Sequence, residues 1–554
     1  MESPFYDMLH TNAIPADEDC RRIQDIVGEK RQQADGLAKE ITRIRALLQG
    51  LVTRHGQFIS SIDAHLVLLS PARRLPDDVL GGIFTACVPC DRAASLNGAD
   101  APLLLCHISQ RWRSIALSTP LLWSSLHIVA PVTTLTAEND RLLQINAVAK
   151  TWLSRSGCLP LTISFVGPGT VARSNTHLFQ GTLDACKILL ETLIEFSPRW
   201  RSVRLVLPHH LSDFGPLADL TPDQVPMLRS ATIDGEPFQS NLSFLTAPSL
   251  NSLSFRPPTY VFQTAIRTPL IQHLCIYQAH RLGDISGTKL LQFLRECVNL
   301  ETCTLELGMM EADFDSQDSV QWDHLRELCV SNTDDAGVLQ LFLGKFIIPN
   351  LSRLHYYDED AYKRLRRLPI QSLCQSLTSL VLSVKTVLTS AVIDVLRAAS
   401  SLEHLTMGWE PLASSQTDVK FLTFLTPPTP RGEPIVCPRL LTLRLLRFSA
   451  LSDNTLHRFI LYRSAPDAQR DSGTARLRRI EVTFNREQEM DVAAIPEIRE
   501  RLAEGFEMLL KYIPPQPEGS RYLVAEGNSA YGEWDASMRD WDGIQESRRC
   551  RFGG

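Results

Sequence analysis

The fold class this sequence predicts is an α+β to α/β repeat, and three observations predict it. A heptad of apolar positions runs from Cys20 to Ile62. Short apolar helices broken by Pro and Gly follow between residues 71 and 125. From Pro198 onward one phrase, x-L-x-x-L-x-L with L any apolar residue, returns at near-regular spacing. The expected order is a coiled-coil helix, a small all-α unit, a repeat solenoid and a helical cap.

The totals set the frame. A chain of 554 residues, 44% hydrophobic and 21% charged, can build two to four units with a sizeable core. A net charge of -6 over this length calls for neither nucleic acid nor an anionic membrane. No apolar run approaches the roughly 18 residues of a membrane span. The start MESPFYDMLH lacks the basic flank and apolar stretch of a secretory signal. The 13 cysteines are odd in number and scattered through apolar patterns, which suits reduced thiols in the cytoplasm or nucleus.

Residues 1–16 are expected to be a disordered N-terminus and 17–70 a coiled-coil helix. The a/d register passes through Cys20, Ile23, Val27, Lys30, Ala34, Leu37, Ile41, Ile44, Leu48, Leu51, His55, Phe58 and Ile62. A sustained heptad argues for a coiled coil. Three partners remain open: a second copy, a fold-back onto the same chain, or the next domain.

Residues 71–125 read as a small helical domain. The helix from Asp77 to about Cys87 carries Val79, Leu80, Ile83 and Phe84 at i, i+1, i+4 and i+5. Gly81 and Gly82 in its middle cost about 1 kcal/mol each against alanine, so this short helix needs tertiary packing to persist.

Residues 126–513 read as a repeat array. The phrase appears as PRWRSVRL, PMLRSATI, PSLNSLSF, PLIQHLCI, VNLETCTL, DHLRELCV, PNLSRLHY, QSLTSLVL, SSLEHLTM, PRLLTLRL and ARLRRIEV. Any single match is weak, since three apolar positions coincide by chance in roughly 8% of windows at this composition. Spacing and context strengthen it. Helical patterns such as LDACKILLETLIEF, TKLLQFLREC, DAGVLQLFLGKF, SAVIDVLRAA and NTLHRFILY stand before several phrases. Helix, turn and short strand at this period mark degenerate leucine-rich repeats. In L-x-L the apolar pair faces the core and the middle residue the open face. Arg204, Ser254, Thr304, His355, Thr406, Arg444 and Glu481 are such middle residues, with Arg256 and Tyr277 just beyond their strands. They form no stripe of one sign, which favours a protein over a nucleic-acid ligand. The candidate target-binding residues are Arg204, Arg256, Tyr277, His355 and Arg444. PEIRERLAEGFEMLLKY is read as a closing helical cap, and 514–554 as a poorly ordered tail.

The 71–125 segment resembles an F-box. The residues that carry the likeness are Leu75-Pro76, Val79-Leu80, Ile83-Phe84, Ile108-Ser109-Gln110-Arg111-Trp112 and Leu122-Trp123. With the heptad leader, the phrases RWRSIALSTPLLWSSL and TWLSRSGCLPLTISF are similar to F-box-like proteins of mushroom-forming fungi. The likeness covers about the first 165 residues. Ser109 and Gln110 stand where the family has Cys and Arg. The resemblance implies a Skp-type adaptor, and through it a cullin, as partners. Leu75, Pro76, Val79, Leu80, Ile83, Phe84, Ile108 and Trp112 would then bind the adaptor. The bland alternative is that these residues form a small helical core.

No catalytic constellation is found: G-x-x-x-x-G-K-[ST], H-E-x-x-H and G-x-S-x-G are all missing. Cys87-Val-Pro-Cys90 closes a helix and has no second pair at zinc spacing, so neither a metal, a cofactor nor redox chemistry is expected. His209-His210 and the Arg476, Arg478, Arg479 cluster read as solvated groups. The functional expectation is a substrate-recognition subunit of an SCF-type cullin ubiquitin ligase, not an enzyme. The alternative is a non-ligase scaffold assembled through the coiled coil.

Overall fold

The structure, a computed structural model, describes residues 4–513 except 10, 90–91, 130–135, 168–185, 208–214, 235–241, 256–267, 278–284, 309, 316–317, 333–335, 359–364, 386, 410–420, 427–433 and 467–472. The chain divides into two compact units, Met1–Ile83 and Phe84–Gly554. That division falls inside the 71–125 segment and not at either of its ends.

The first unit is dominated by α1 (Asp17–Leu68), one continuous helix of 52 residues. Asp17, Glu18 and Asp19 fill its first turn, where acidic side chains favour the positive end of the helix dipole. Gly28, Gly36, Gly50 and Gly56 lie within it, each costing about 1 kcal/mol against alanine. The short helix α2 (Asp77–Cys87) starts directly after Pro76, with Asp77 and Asp78 in its first turn.

The second unit begins within α2, at Phe84, and continues with α3 (Leu103–Ile108) and α4 (Gln110–Leu117). Ser109 separates them: its hydroxyl accepts a hydrogen bond from the Trp112 amide at 3.1 Å and caps α4. The serine that departs from the F-box pattern is thus the residue type an N-cap requires. Trp123, fully buried, donates from its indole to the Ala116 carbonyl at 2.8 Å and meets Trp152 edge-on at 4.8 Å.

Fourteen strands then form one sheet whose spatial order is its chain order. They are β1 (Ser125–Val129), β2 (Leu161–Val166), β3 (Trp200–Val206), β4 (Ser230–Asp234), β5 (Ser252–Phe255), β6 (His273–Tyr277) and β7 (Thr302–Leu307), followed by β8 (Glu327–Asn332), β9 (Arg353–Asp358), β10 (Ser379–Val384), β11 (His404–Met407), β12 (Thr442–Phe448), β13 (Arg479–Phe484) and β14 (Glu507–Tyr512). Every neighbouring pair is parallel. Parallel strands adjacent in sequence need a crossover each time, which the intervening segments supply. Among them are α5 (Thr136–Arg155), a helical stretch at 186–194, α6 (Gly287–Glu296), α7 (Ala336–Leu343), α8 (Thr389–Ala398), α9 (Asp453–Arg463) and α10 (Pro496–Ala503). In other crossovers the described residues include a 3-10 turn, as at Ser243–Thr246, Thr268–Leu270 and Gln371–Leu373. One strand per repeat, all parallel and in order, is a leucine-rich-repeat solenoid, with degenerate outer elements.

Two rows of residues run across the sheet into the core. One begins Leu126, Ile163, Val203, Ala231 and the other Ile128, Phe165, Leu205, Ile233. Both stay apolar to β14, where Met508 and Leu510 end them. All eleven phrases read from the sequence coincide with strands β3 to β13.

The closing element departs from expectation. The helix in PEIRERLAEGFEMLLKY stops at Ala503, and Glu507–Tyr512 is the last strand. Gly505 is the cause: at φ +94° it sits in the left-handed region that ends a helix. The Glu507 amide then donates to the Arg478 carbonyl at 2.9 Å and starts the pairing with β13.

Candidate functional site

Two kinds of surface merit comparison, the α2 ridge and the open face of the sheet. On α2 the four apolar residues fall on two faces. Leu80 and Phe84 are buried, at 1% and 0% exposure, whereas Val79 and Ile83 keep 42% and 44%. The i, i+4 pairs share a face, so the helix presents one apolar stripe inward and one outward. Leu80 and Phe84 are therefore core residues, and the expectation that they face an adaptor is corrected. Phe84 packs against Trp112 at 4.8 Å between ring centroids, which places the half-buried Trp112 with the core as well. Leu75 is half-buried; Pro76 is exposed, and Ile108 keeps 55% exposure with Leu104 nearby in sequence at 41%.

On the sheet, one register row collects every middle residue of the repeats. Reading from β1, it is His127, Ser164, Arg204, Thr232, Ser254, Cys275, Thr304, Cys329, His355, Val381, Thr406, Arg444, Glu481 and Leu509. The residues that repeat counting assigned to the open face do share it. Yet most are shielded. His355 is 1% exposed and Arg444 4%, so neither can offer its side chain to a target, and both candidates are corrected. The reason is crowding: neighbouring strands lie about 4.8 Å apart, and flanking side chains cover short or retracted ones. Arg444 faces Glu481 on the next strand, Nε to Oε2 at 3.3 Å, with both side chains about 95% buried. Arg204 and Tyr277 are half-buried; the Tyr277 hydroxyl accepts from Ser254 at 3.1 Å. Arg256 lies outside the described residues.

A second row two residues upstream is polar on all fourteen strands, from Ser125, Thr162 and Ser202 to Thr442, Arg479 and Glu507. Its members pair across strands: His273 with Thr302 at 2.9 Å, His404 with Thr442 at 2.6 Å, Arg353 with Glu327 at 3.6 Å and Arg479 with Glu507 at 3.1 Å. Just before this row, Glu301, Asp323, His324, Arg326, Asn350 and Ser352 line a cleft of about 410 Å³. The first six strands carry mostly Ser, Thr and His in these rows, and charges of both signs sit side by side at Glu327 and Arg353 and again at Arg444, Glu481, Arg479 and Glu507.

One cluster was invisible in the sequence. Trp409 has the Lys385 ammonium 5.6 Å and the Arg447 guanidinium 4.7 Å from its ring centroid. The three residues follow or end β10, β11 and β12, and Arg447 stands at φ +58° beside a break in the strand register. Only register, which a repeat count does not supply, brings them together.

The remaining candidates resolve into structural roles or fall outside the described residues. Arg476 is paired with Glu504 and Arg479 with Glu507. Cys87 is exposed, while Cys90 and His209-His210 are outside the described residues. Burial pushes the thiols of Cys186, Cys297, Cys374 and Cys437 up to about 12, which keeps them protonated and unreactive at neutral pH. Among the described residues no group of three or more His, Cys, Asp or Glu is placed to hold a metal ion, and no helix is long and apolar enough to cross a membrane.

No protein-family model matches the chain, and no curated protein matches it. Among solved structures, an internalin from Listeria monocytogenes is similar at 13% identity, over 70% of this chain and 82% of that one, with a TM-score of 0.27. The complex of TLR13 with ssRNA13 is similar at 11% identity, over 73% of this chain and 64% of that one, with a TM-score of 0.28.

Proposed function

We propose that the protein is a substrate-recognition subunit of an SCF-type cullin ubiquitin ligase. In this reading α2 docks a Skp-type adaptor, the adaptor links to a cullin, and the repeat sheet takes a target protein in the cytoplasm or nucleus. The receptor does no covalent chemistry; it raises the effective concentration of its target near the transferring enzyme.

The observation that carries the proposal is the outward stripe of α2. Val79 and Ile83 stay exposed beside an inward pair, Leu80 and Phe84, that already supplies the core. A helix needs one apolar face to fold, so a second invites a partner. Pro76 and Ile108, also exposed, belong to the same F-box-like pattern. The charged residues of the sheet face are of both signs, as in Arg353 beside Glu327 and Arg479 beside Glu507. That suits a protein surface better than a phosphate backbone, which would call for one sign.

The size of the effect follows from what remains to be buried. With about two-fifths of each side chain still exposed, burying Val79 and Ile83 gives about 1 kcal/mol apiece. A carboxylate in either place adds a desolvation cost. Full-length protein co-expressed with a Skp-type adaptor is expected to elute as a stable complex. Val79→Asp with Ile83→Asp is expected to weaken it about 100-fold while thermal unfolding stays unchanged. Leu121→Asp, also at an exposed apolar position, serves as the control that leaves binding intact. If the wild-type chain captures no adaptor, the scaffold reading, which the long exposed α1 favours, replaces this one.

A further inference from the structure

We propose that α1 pairs with α1 of a second copy of this chain as an antiparallel two-helix coiled coil. The inference rests on the first unit alone and does not depend on the adaptor reading.

The helix cannot account for itself. Its a/d residues from Val27 to Ile62 stand exposed, with Leu37 at 66%, Ile44 at 53%, Leu48 at 59% and Phe58 at 63%, while Cys20 and Ile23 are half-buried. Four glycines weaken its propensity over 52 residues. A helix of this composition gains its stability by burying an apolar face.

The heptad itself selects the occupant. The midpoint of Asp17–Leu68 falls between Thr42 and Arg43. Reflection through that point carries every a residue onto a d residue, the layering of an antiparallel pair. Ile41 then meets Ile44 of the second copy, Leu37 meets Leu48, and Ile23 meets Ile62. Small residues meet large ones: Ala34 faces Leu51, and Val27 faces Phe58. The two polar interior positions, Lys30 and His55, fall into one layer. Complementary volumes across facing positions are what a packed core needs.

The parallel arrangement serves these residues worse. It sets Lys30 against Lys30 and Phe58 against Phe58, and leaves Ala34 opposite Ala34. Its one gain is an ion pair between Glu40 and Arg45 of the other copy. Exposed pairs of that kind contribute little, and Glu40 is already bound to Arg43 of its own helix at 3.1 Å.

Light scattering after size exclusion of the full chain at micromolar concentration tests the pairing. The expected mass is twice 62.1 kDa. Leu37→Asp with Leu48→Asp, which share a layer, should return it to 62.1 kDa with the sheet's thermal transition unmoved. A single-copy mass for the wild type, a mass above two copies, or a variant that still pairs would each overturn the proposal. Orientation is read by oxidising a double variant, L37C with L48C. Peptide mass spectrometry should find the disulfide joining position 37 of one copy to position 48 of the other. Links of 37 to 37 and 48 to 48 would instead establish the parallel form and sink the antiparallel one.

Discussion

Asp453→Ala is expected to cost about 3–5 kcal/mol and to unravel the C-terminal end of the sheet. Asp453 is fully buried at the start of α9 and acts as the acceptor for four donors. They are the Arg486 guanidinium at 2.6 Å, the Glu489 and Met490 amides at 2.8 and 2.9 Å, and the Tyr512 hydroxyl at 3.0 Å. Arg486 in turn lies 4.3 Å over the Phe484 ring, which stacks on Tyr512 at 4.7 Å. One carboxylate thus ties α9, the segment after β13 and the final strand together. Its removal leaves the Arg486 guanidinium with the more distant Glu489, at 3.7 Å, as counter-charge and strands two backbone amides. Solenoids lose structure from their ends, so the loss should be local. Hydrogen exchange is expected to speed up in β13, β14 and residues 486–490, with β1 to β10 unchanged. A shift under 1 kcal/mol would show that the cluster does not hold the end.

The same site sets an acid limit. Burial pushes the Asp453 carboxyl up, but its four hydrogen bonds outweigh this and hold it below the usual carboxylate range. A depressed folded value means the contribution is present above the unfolded carboxyl range and is lost as pH falls through the folded value. Unfolding of the wild type should therefore steepen in acid, and Asp453→Asn should flatten that limb.

The second large effect belongs to the Arg444–Glu481 pair. Both side chains are about 95% buried and meet at 3.3 Å, by Nε to Oε2 and by Nη2 to Oε1. Taking either from water is expensive, and the pair roughly repays that by mutual attraction. Arg444→Met should destabilise by about 3–5 kcal/mol, because Glu481 stays buried without its cation. Adding Glu481→Leu should restore most of the loss, since an apolar pair of similar volume needs no desolvation. Chemical denaturation of the two single variants and the double variant measures this. A double variant no better than Arg444→Met would mean that the arginine acts through other contacts.

Much of the repeat array was legible because burying both residues of L-x-L fixes strand direction and facing at once. The three strands missed show the limit of that template. In β2 and β14 its leading apolar position is held by Pro160 and Gly505. In β1 the phrase WSSLHI does fit, but its tryptophan also reads as the close of the helical domain before it. Gly505 further hid the end of α10, so EMLLKY read as helix.

The candidate sites were less legible for a different reason. Alternation tells which way a side chain points, not what stands beside it. His355 and Arg444 point to the open face as expected, yet neighbours far away in sequence cover them. On α2 the spacing named four apolar residues without saying which pair turns inward; only packing separates Val79 and Ile83 from Leu80 and Phe84. The Trp409 cluster depends on three strand ends brought level by register, which no local pattern encodes.

Hydrogen exchange of the full chain with and without a Skp-type adaptor tests the functional account most directly. Protection is expected over Pro76–Cys87 and around Ile108, with the fourteen strands unchanged. Absence of protection on α2 at saturating adaptor, or protection confined to the sheet, would contradict it.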